Sequence, residues 1–318
     1  MSSGESPRWG VAVDSPTEER NPRTVDLDVV DTLELLRLIN AEDQLVPDAV
    51  AAALPALARL VDVAAERVRA GGTVHYVGAG TSGRIGVVDA AELLPTFRLE
   101  DGVVTAHLAG GPAAIVRAAE NVEDDAAAGA SDLDEVGERD VVIGLAASGR
   151  TPYVAGALAH ATERGAVTAL VTSNPRSPLR GTVDVEVVVE TGPEALTGST
   201  RMKSATAQKL VLHSFSTALM VRLGRTWSNL MVSMVATNQK LRARTVTILH
   251  QATGLERAAC ERLLEAADGD LKVALVMSLA DTDTGTARAA LDDAGGVVRE
   301  AVRSLTPPSQ TPPSRREP

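Results

Sequence analysis

One stretch governs what the rest of the chain can become: residues 74–92, VHYVGAGTSGRIGVVDAAE. An apolar run, Val74 to Val77, breaks into a loop carrying three glycines, a threonine and a serine. The loop then opens into a helical pattern that reaches Glu92. A buried strand that delivers its chain to a helix start through such a loop presents backbone N–H groups and hydroxyls to an anion. Gly78-Ala79-Gly80-Thr81-Ser82-Gly83 also spells G-x-G-x-x-G, the dinucleotide fingerprint, which requires an acidic residue about 20 positions on, at the end of the second strand. Glu100 and Asp101 fall near that distance but precede the next apolar run, Val103 to Leu108, instead of ending it. The loop chemistry also recurs, as Ala147-Ser148-Gly149-Arg150-Thr151-Pro152, directly after the apolar run Val141 to Ala147. Two Ser-Gly-Arg loops after two strands describe a hydroxyl-lined phosphate cradle and argue against a nicotinamide dinucleotide.

Around this stretch the pattern alternates. Apolar runs at 74–79, 103–108, 141–147, 167–172 and 184–190 are separated by helical stretches near 84–92, 112–122 and 152–163, and followed by one at 203–222. The connection 173–183, with Pro175 and Pro178, reads as a loop. Strands nearly continuous in Val, Ile and Ala, interleaved with helices, predict an α/β fold with a parallel sheet covered on both faces. Five strands fit the flavodoxin-like order 2-1-3-4-5, in which the first and third strands adjoin at the topological switch point, so the two Ser-Gly-Arg loops face one crevice. The expected organisation is a flexible N-terminal arm (1–24), N-terminal helices (25–63), the phosphate-binding sheet domain (64–225), a C-terminal helical region (226–305) and a disordered Pro/Ser tail (306–318). Pro47 suits the start of a helix over Val50–Val68, and Pro55 predicts a kink or a second start within it. The C-terminal region reads as a small appendage of roughly three helices.

Composition closes off other classes. Hydrophobic residues make up 44% of the chain but aromatics only 2%, so the core must be built from Ala, Val and Leu. A net charge of −11 disfavours nucleic acid or an anionic membrane as a partner, and any anion site must work through local dipoles and a few arginines. Cys260 is the single cysteine, which rules out an internal disulfide. With no leader-like segment and no apolar run of about 18 residues, the chain is expected to be soluble and cytoplasmic. The five histidines show no metal-ligand spacing and read as structural, so no metal is expected.

Three blocks carry a resemblance: GAGTSGRIGVVDAAE, GLAASGRTPYV and GPEALTGSTRMKSATAQK. The first two resemble the sugar isomerase (SIS) fold of phosphosugar-binding proteins. Together with the third, they resemble the N-acetylmuramic acid 6-phosphate etherase family, which shares the last signature with glucokinase regulatory proteins. The resemblance runs from about Leu33 to about residue 300. It implies a homodimeric, cytosolic bacterial enzyme without metal or cofactor. The implied reaction cleaves the lactyl ether of the sugar phosphate in recycling of cell-wall muramic acid, giving N-acetylglucosamine 6-phosphate and D-lactate. The family's two carboxylates fall on Glu92 and on Glu123, within Glu120-Asn121-Val122-Glu123-Asp124. Ala91 and Leu93-Leu94-Pro95-Thr96 depart from the polar run that usually flanks the first glutamate. The phosphosugar contacts would come from Thr81, Ser82, Gly83 and Arg84, from Ser148, Gly149, Arg150 and Thr151, and from Ser199, Thr200 and Lys203.

The chemistry fits two carboxyl groups. The ether oxygen is on carbon 3, beta to the aldehyde of the open-chain sugar. One group removes the acidified carbon-2 hydrogen; the other protonates departing lactate and then activates water, each such transfer contributing ~10²–10⁴-fold. Glu123 is assigned as the carbon-2 base, and Glu92 as the acid and then base. Taken singly, these residues have plainer uses: Ser82, Ser148 and Thr151 as helix caps, Arg84 and Arg150 as bridges to acidic side chains, and the two glutamates as solvated surface groups. Two other functions compete: a non-catalytic sugar-phosphate sensor resembling glucokinase regulatory protein, and an aldose–ketose isomerase. Geometry poses a further question. With a helix starting near Gly83, Glu92 lies roughly 13–14 Å along its axis, so either the chain folds back or Glu92 serves the other subunit's site.

Overall fold

The computed structural model describes residues 14–233 and 239–306. The chain divides into a sheet unit, residues up to Ala91 with Gly102–Ser216, and a helical unit, Glu92–Asp101 with the residues from Thr217 onward. The sheet unit holds five parallel strands, β1 (Val74–Gly78), β2 (Val104–Leu108), β3 (Val141–Leu145), β4 (Val167–Thr172) and β5 (Val185–Val188), in the expected order 2-1-3-4-5. Val74 is in register with Val104 on one side and Val141 on the other, and Gly78 with Leu108 and Leu145, so β1, β2 and β3 end level with one another. All five residues of β3 are buried, which accounts for an unbroken Val-Val-Ile-Gly-Leu run in place of an alternating one. On one face Val77, Val142 and Leu170 pack with Val154, Ala157 and Leu158 of α6 (Pro152–Glu163).

Small corrections to the helix pattern all have local causes. Helix α3 (Gly80–Phe97) starts four residues earlier than expected. A Cβ on Gly78 would lie 2.7 Å from Gly83 N, and one on Gly83 only 2.5 Å from Gly78 O; the helix begins against the strand end because neither residue has a side chain. The stretch expected as a helix over 112–122 is instead a short helix, α4 (Ala113–Val116), and a 3₁₀ turn, Val122–Asp124, entered through Asn121 at φ 62. A further helix, α5 (Ala126–Ser131), follows with Asp125 as its cap. α7 (Lys203–Arg222) has the expected bounds.

Upstream, α1 (Thr32–Asp43) and α2 (Val46–Arg69) group with the sheet unit and do not form a separate region. α2 runs through Pro55 as one helix, without a second start. The expected flexible arm 1–24 is corrected over residues 14–24, where Ser15, Thr17, Asn21 and Thr24 are buried. Asn21 Nδ2 donates to Pro193 O at 3.2 Å and Thr24 Oγ1 to Ala195 O at 2.8 Å, so polar side chains stitch this segment down. Residues 1–13 and the tail from 307, expected to be loose, lie outside the described residues.

The helical unit has its own core and more helices than the roughly three expected. A two-stranded hairpin, β6 (Thr226–Trp227) with β7 (Leu230–Met231), precedes α8 (Gln239–Thr253), α9 (Arg257–Ala266), α10 (Leu271–Ala280), α11 (Thr284–Asp293) and α12 (Val298–Leu305). Leu249, Cys260, Ala274, Leu275 and Val298 are buried at its centre. Among the described residues, no helix is long and apolar enough to cross a membrane.

Candidate active site

Because β1 and β3 are neighbours and end in register, the turns that leave their C-terminal ends emerge side by side. The first turn places Thr81, Ser82 and Gly83 in the opening turn of α3, whose leading N–H groups have no partner within the helix. The second, Ser148 to Thr151, leads into α6. Thr151 is the N-cap residue of α6, yet its hydroxyl makes no capping bond, so the plainer reading of Thr151 as a capping side chain does not hold. Gly149 sits at φ 65, and a Cβ there would lie 2.1 Å from Ser177 Oγ; no residue but glycine fits.

This second loop is held by residues that sequence reasoning passed over. Thr172 Oγ1 donates to Ala147 O at 3.0 Å, Asn174 Nδ2 to Ser148 O at 2.9 Å and Ser177 Oγ to Gly149 O at 2.8 Å. Three successive carbonyls are thereby engaged, in bonds that use neither the Ser148 nor the Thr151 hydroxyl. Asn174-Pro175 after a strand was the available signal, a turn marker whose side chain serves a neighbouring loop. Among the described residues, Arg150 Nε is buried without a hydrogen-bond partner.

Among the described residues, Arg84 does not reach an acidic side chain. Its Nε donates to the carbonyls of Ala114 (3.0 Å) and Ile115 (3.1 Å), and its Nη2 to that of Arg117 (3.3 Å). It therefore clips the start of the segment that carries Glu123 to the head of α3. Glu123 itself is exposed, on the 3₁₀ turn.

The third loop, Gly192 to Lys203, divides its duties in a way the sequence did not reveal. Glu194, fully buried, accepts hydrogen bonds from Lys203 N (2.8 Å), Ser204 N (3.0 Å) and Ser204 Oγ (2.8 Å), so a carboxylate caps α7. Ser199 and Thr200 are half-buried, and neither hydroxyl is needed for that cap. Lys203, expected among the ligands, is 0% exposed, and its Nζ lies 2.6 Å from Glu42 Oε2. Glu42 in turn takes Arg23 Nε at 2.5 Å and Nη2 at 2.9 Å. The Arg23 hydrogen bonds, with a lesser contribution from Lys203, hold the Glu42 carboxyl down to about 2 against the effect of burial.

Glu92 is exposed and sits on α3 twelve residues beyond its first residue, Gly80. That is about 18 Å of unbroken helix. The chain does not fold back, which removes one of the two alternatives posed by the sequence. One turn earlier, Asp89 is buried and accepts hydrogen bonds from Tyr76 Oη (2.8 Å) and Ser216 Oγ (2.9 Å). Burial raises its pKa, opposed by those two bonds and by nearby His213, whose Nδ1 is 3.4 Å from Asp89 Oδ1. Among the described residues, no group of three or more His, Cys, Asp or Glu is placed to hold a metal ion.

A five-stranded parallel sheet in this order, with paired hydroxyl-bearing loops at its switch point, has the architecture of the SIS class of domains. The glucokinase regulatory protein N-terminal SIS domain family matches residues 56–162, and the SIS domain family matches residues 115–218. The N-acetylmuramic acid 6-phosphate etherase of Thermobifida fusca is 57% identical over 267 residues, covering 84% of this chain and 88% of its own. That of Pectobacterium atrosepticum is 48% identical over 302 residues, 94% of this chain and 99% of its own. The chain belongs to the N-acetylmuramic acid 6-phosphate etherase family. Among solved structures, a phosphoheptose isomerase from Francisella tularensis is similar at 18% identity and a TM-score of 0.49, over 60% of this chain and 100% of that one.

Proposed function

We propose that the protein cleaves the D-lactyl ether of N-acetylmuramic acid 6-phosphate, giving N-acetylglucosamine 6-phosphate and D-lactate in the recycling of cell-wall muramic acid. The observation that carries this reading is the pair of in-register loops with uncommitted hydroxyls, in a chain 57% identical to a protein of that name. The phosphoryl group binds Thr81, Ser82 and Gly83 at the head of α3 and Ser148 to Thr151 beside it, while Ser199 and Thr200 offer neutral hydroxyls to the sugar. Glu123 takes the carbon-2 hydrogen of the open-chain aldehyde. The electron pair moves to form the carbon 2–carbon 3 double bond as the carbon 3–oxygen bond breaks, and Glu92 protonates the departing lactate oxygen. Water then adds at carbon 3 with the Glu92 carboxylate as base, and carbon 2 regains a proton from Glu123. The sum is ether plus water giving alcohol plus lactate.

Arg84 and Lys203 act at one remove, as positioning and structural groups. Since about 18 Å of continuous helix parts Glu92 from the turn at Gly80, Glu92 serves the site of a second copy, and the protein works as a homodimer. A row of exposed apolar residues on and before α1, Val29 (74%), Leu33 (58%) and Leu36 (55%), supports a partner surface. The deciding experiment incubates purified protein with N-acetylmuramic acid 6-phosphate and measures D-lactate. Release at enzymic rates is expected; a ketose product without lactate would establish an isomerase instead.

A further inference from the structure

The helical unit gathers three cations around one turn. Gly224 packs so closely on Val297 that a Cβ there would lie 2.5 Å from Val297 Cγ2, which places the next residue, Arg225, at this turn. Gly296 accepts a hydrogen bond from Lys272 Nζ at 2.7 Å. Arg225 Nη1 donates to the backbone carbonyl of Arg98 at 3.3 Å, which sets the main chain of the exposed Arg98 beside Arg225. Among the described residues, none of the three forms an ion pair. The nearby carboxylate, Asp270, is engaged at the head of α10, accepting from Lys272 N (3.0 Å) and Val273 N (3.2 Å). Charge crowding registers on Lys272: burial first, then Arg225, with Arg98 adding, hold its ammonium down to about 8 against the pull of Asp270. Such a concentration of positive charge, only partly offset by Asp270, runs against the chain's net −11.

We propose that Arg98, Arg225 and Lys272 form an anion-binding site in the helical unit, distinct from the loops of the sheet unit, for the phosphoryl group of a small metabolite. Two guanidinium forks and an ammonium match a doubly charged tetrahedral anion better than a carboxylate. Binding restores charge to Lys272, so near pH 8 it draws a proton from solution.

The test titrates inorganic phosphate, N-acetylglucosamine 6-phosphate and D-lactate calorimetrically into the Ser82→Ala/Ser148→Ala double variant, in which the loop site is weakened. Runs at pH 8 in two buffers of different ionisation enthalpy report proton uptake. Phosphate is expected to bind with proton uptake, and Arg225→Gln or Arg98→Gln to weaken it by about tenfold. Lys272→Met should abolish the uptake. The Arg98 side chain makes no hydrogen bond among the described residues, so that variant keeps the fold whatever Lys272→Met does. Tighter binding of the sugar phosphate than of inorganic phosphate identifies a metabolite site, and equal affinity a site for free phosphate; either supports the proposal. Tighter binding of D-lactate than of phosphate overturns the choice of ligand. Absence of phosphate binding, or affinity unchanged in both arginine variants, overturns the site.

Discussion

At the scale of single residues, burial distinguishes the lysine and glutamate of the third signature block from the hydroxyls of Ser199 and Thr200. Lys203 and Glu194 belong to a buried frame, so substituting them should alter stability before chemistry. Lys203→Met takes a buried charged partner from Glu42, and removing a partner from a buried pair costs ~3 kcal/mol or more. Urea denaturation should register that loss while the folded fraction keeps its KM; a raised KM at unchanged stability would return Lys203 to the ligands. Gly149→Ala makes the opposite case. The substituted residue must hold φ 65 against Ser177, so the loop has to move. Sugar-phosphate affinity should fall by at least about tenfold with global stability reduced by only ~1–3 kcal/mol, read from equilibrium binding and thermal melts side by side.

Elements were legible in the sequence where their signal was periodic. The five strands announced themselves as apolar runs, and α6 and α7 as long helical stretches with a proline or a polar loop before them. The opening turn of α3 was not legible, because glycine, threonine and serine read as loop until their contact with the strand end is known. α5 was missed because six residues make too short a window for a helical period. The segment 14–24 looked loose for a related reason: it is held by buried polar side chains, whose hydrogen bonds leave no periodic mark. Of the candidate site, the placement of the glycines and hydroxyls beyond neighbouring strand ends could be read directly. Thr172, Asn174 and Ser177 act on a loop distant in sequence and could not. One consequence belongs to the sheet itself. His75 on β1 and His107 on β2 meet with Nδ1 and Nε2 3.0 Å apart, and Thr105 Oγ1 lies 3.0 Å from His75. Burial first, then the charge of His107, hold His75 down to about 4, with Asp140 opposing. Its folded pKa lies below the unfolded value near 6.5. The unfolded chain therefore binds the extra proton, and stability is full above about pH 6.5 and drains away between there and about 4. Urea midpoints at pH 7.5 and 5 should show the loss, and His75→Val should reduce it. An identical drop in the variant would place the effect elsewhere.

For the molecule as a whole, the division of labour between Glu92 and Glu123 can be tested by mixing. If each site takes Glu92 from one copy and Glu123 from the other, Glu92→Gln and Glu123→Gln homodimers are both inactive. Their heterodimer, however, has one site with both glutamates intact. Random exchange at equal amounts should restore about a quarter of wild-type lactate release, since half the dimers are mixed and each has one working site. No recovery, with exchange verified by mass spectrometry, would put both carboxylates in one chain. Lysines at Leu33 and Leu36 should then yield monomers unable to release lactate, by sedimentation and assay together. Arg84 adds a further dependence. Rooted in the turn proposed to receive the phosphoryl group, it grips the carbonyls of residues 114, 115 and 117, from which the chain runs on to Glu123. Under the proposed mechanism, docking at one end would be transmitted to the alignment of Glu123 at the other, and the phosphoryl group would be part of the catalyst as well as a handle. A sugar stripped of it should turn over slowly even at saturation, with kcat falling alongside affinity, and Arg84→Lys should make the phosphorylated sugar behave in that same sluggish way.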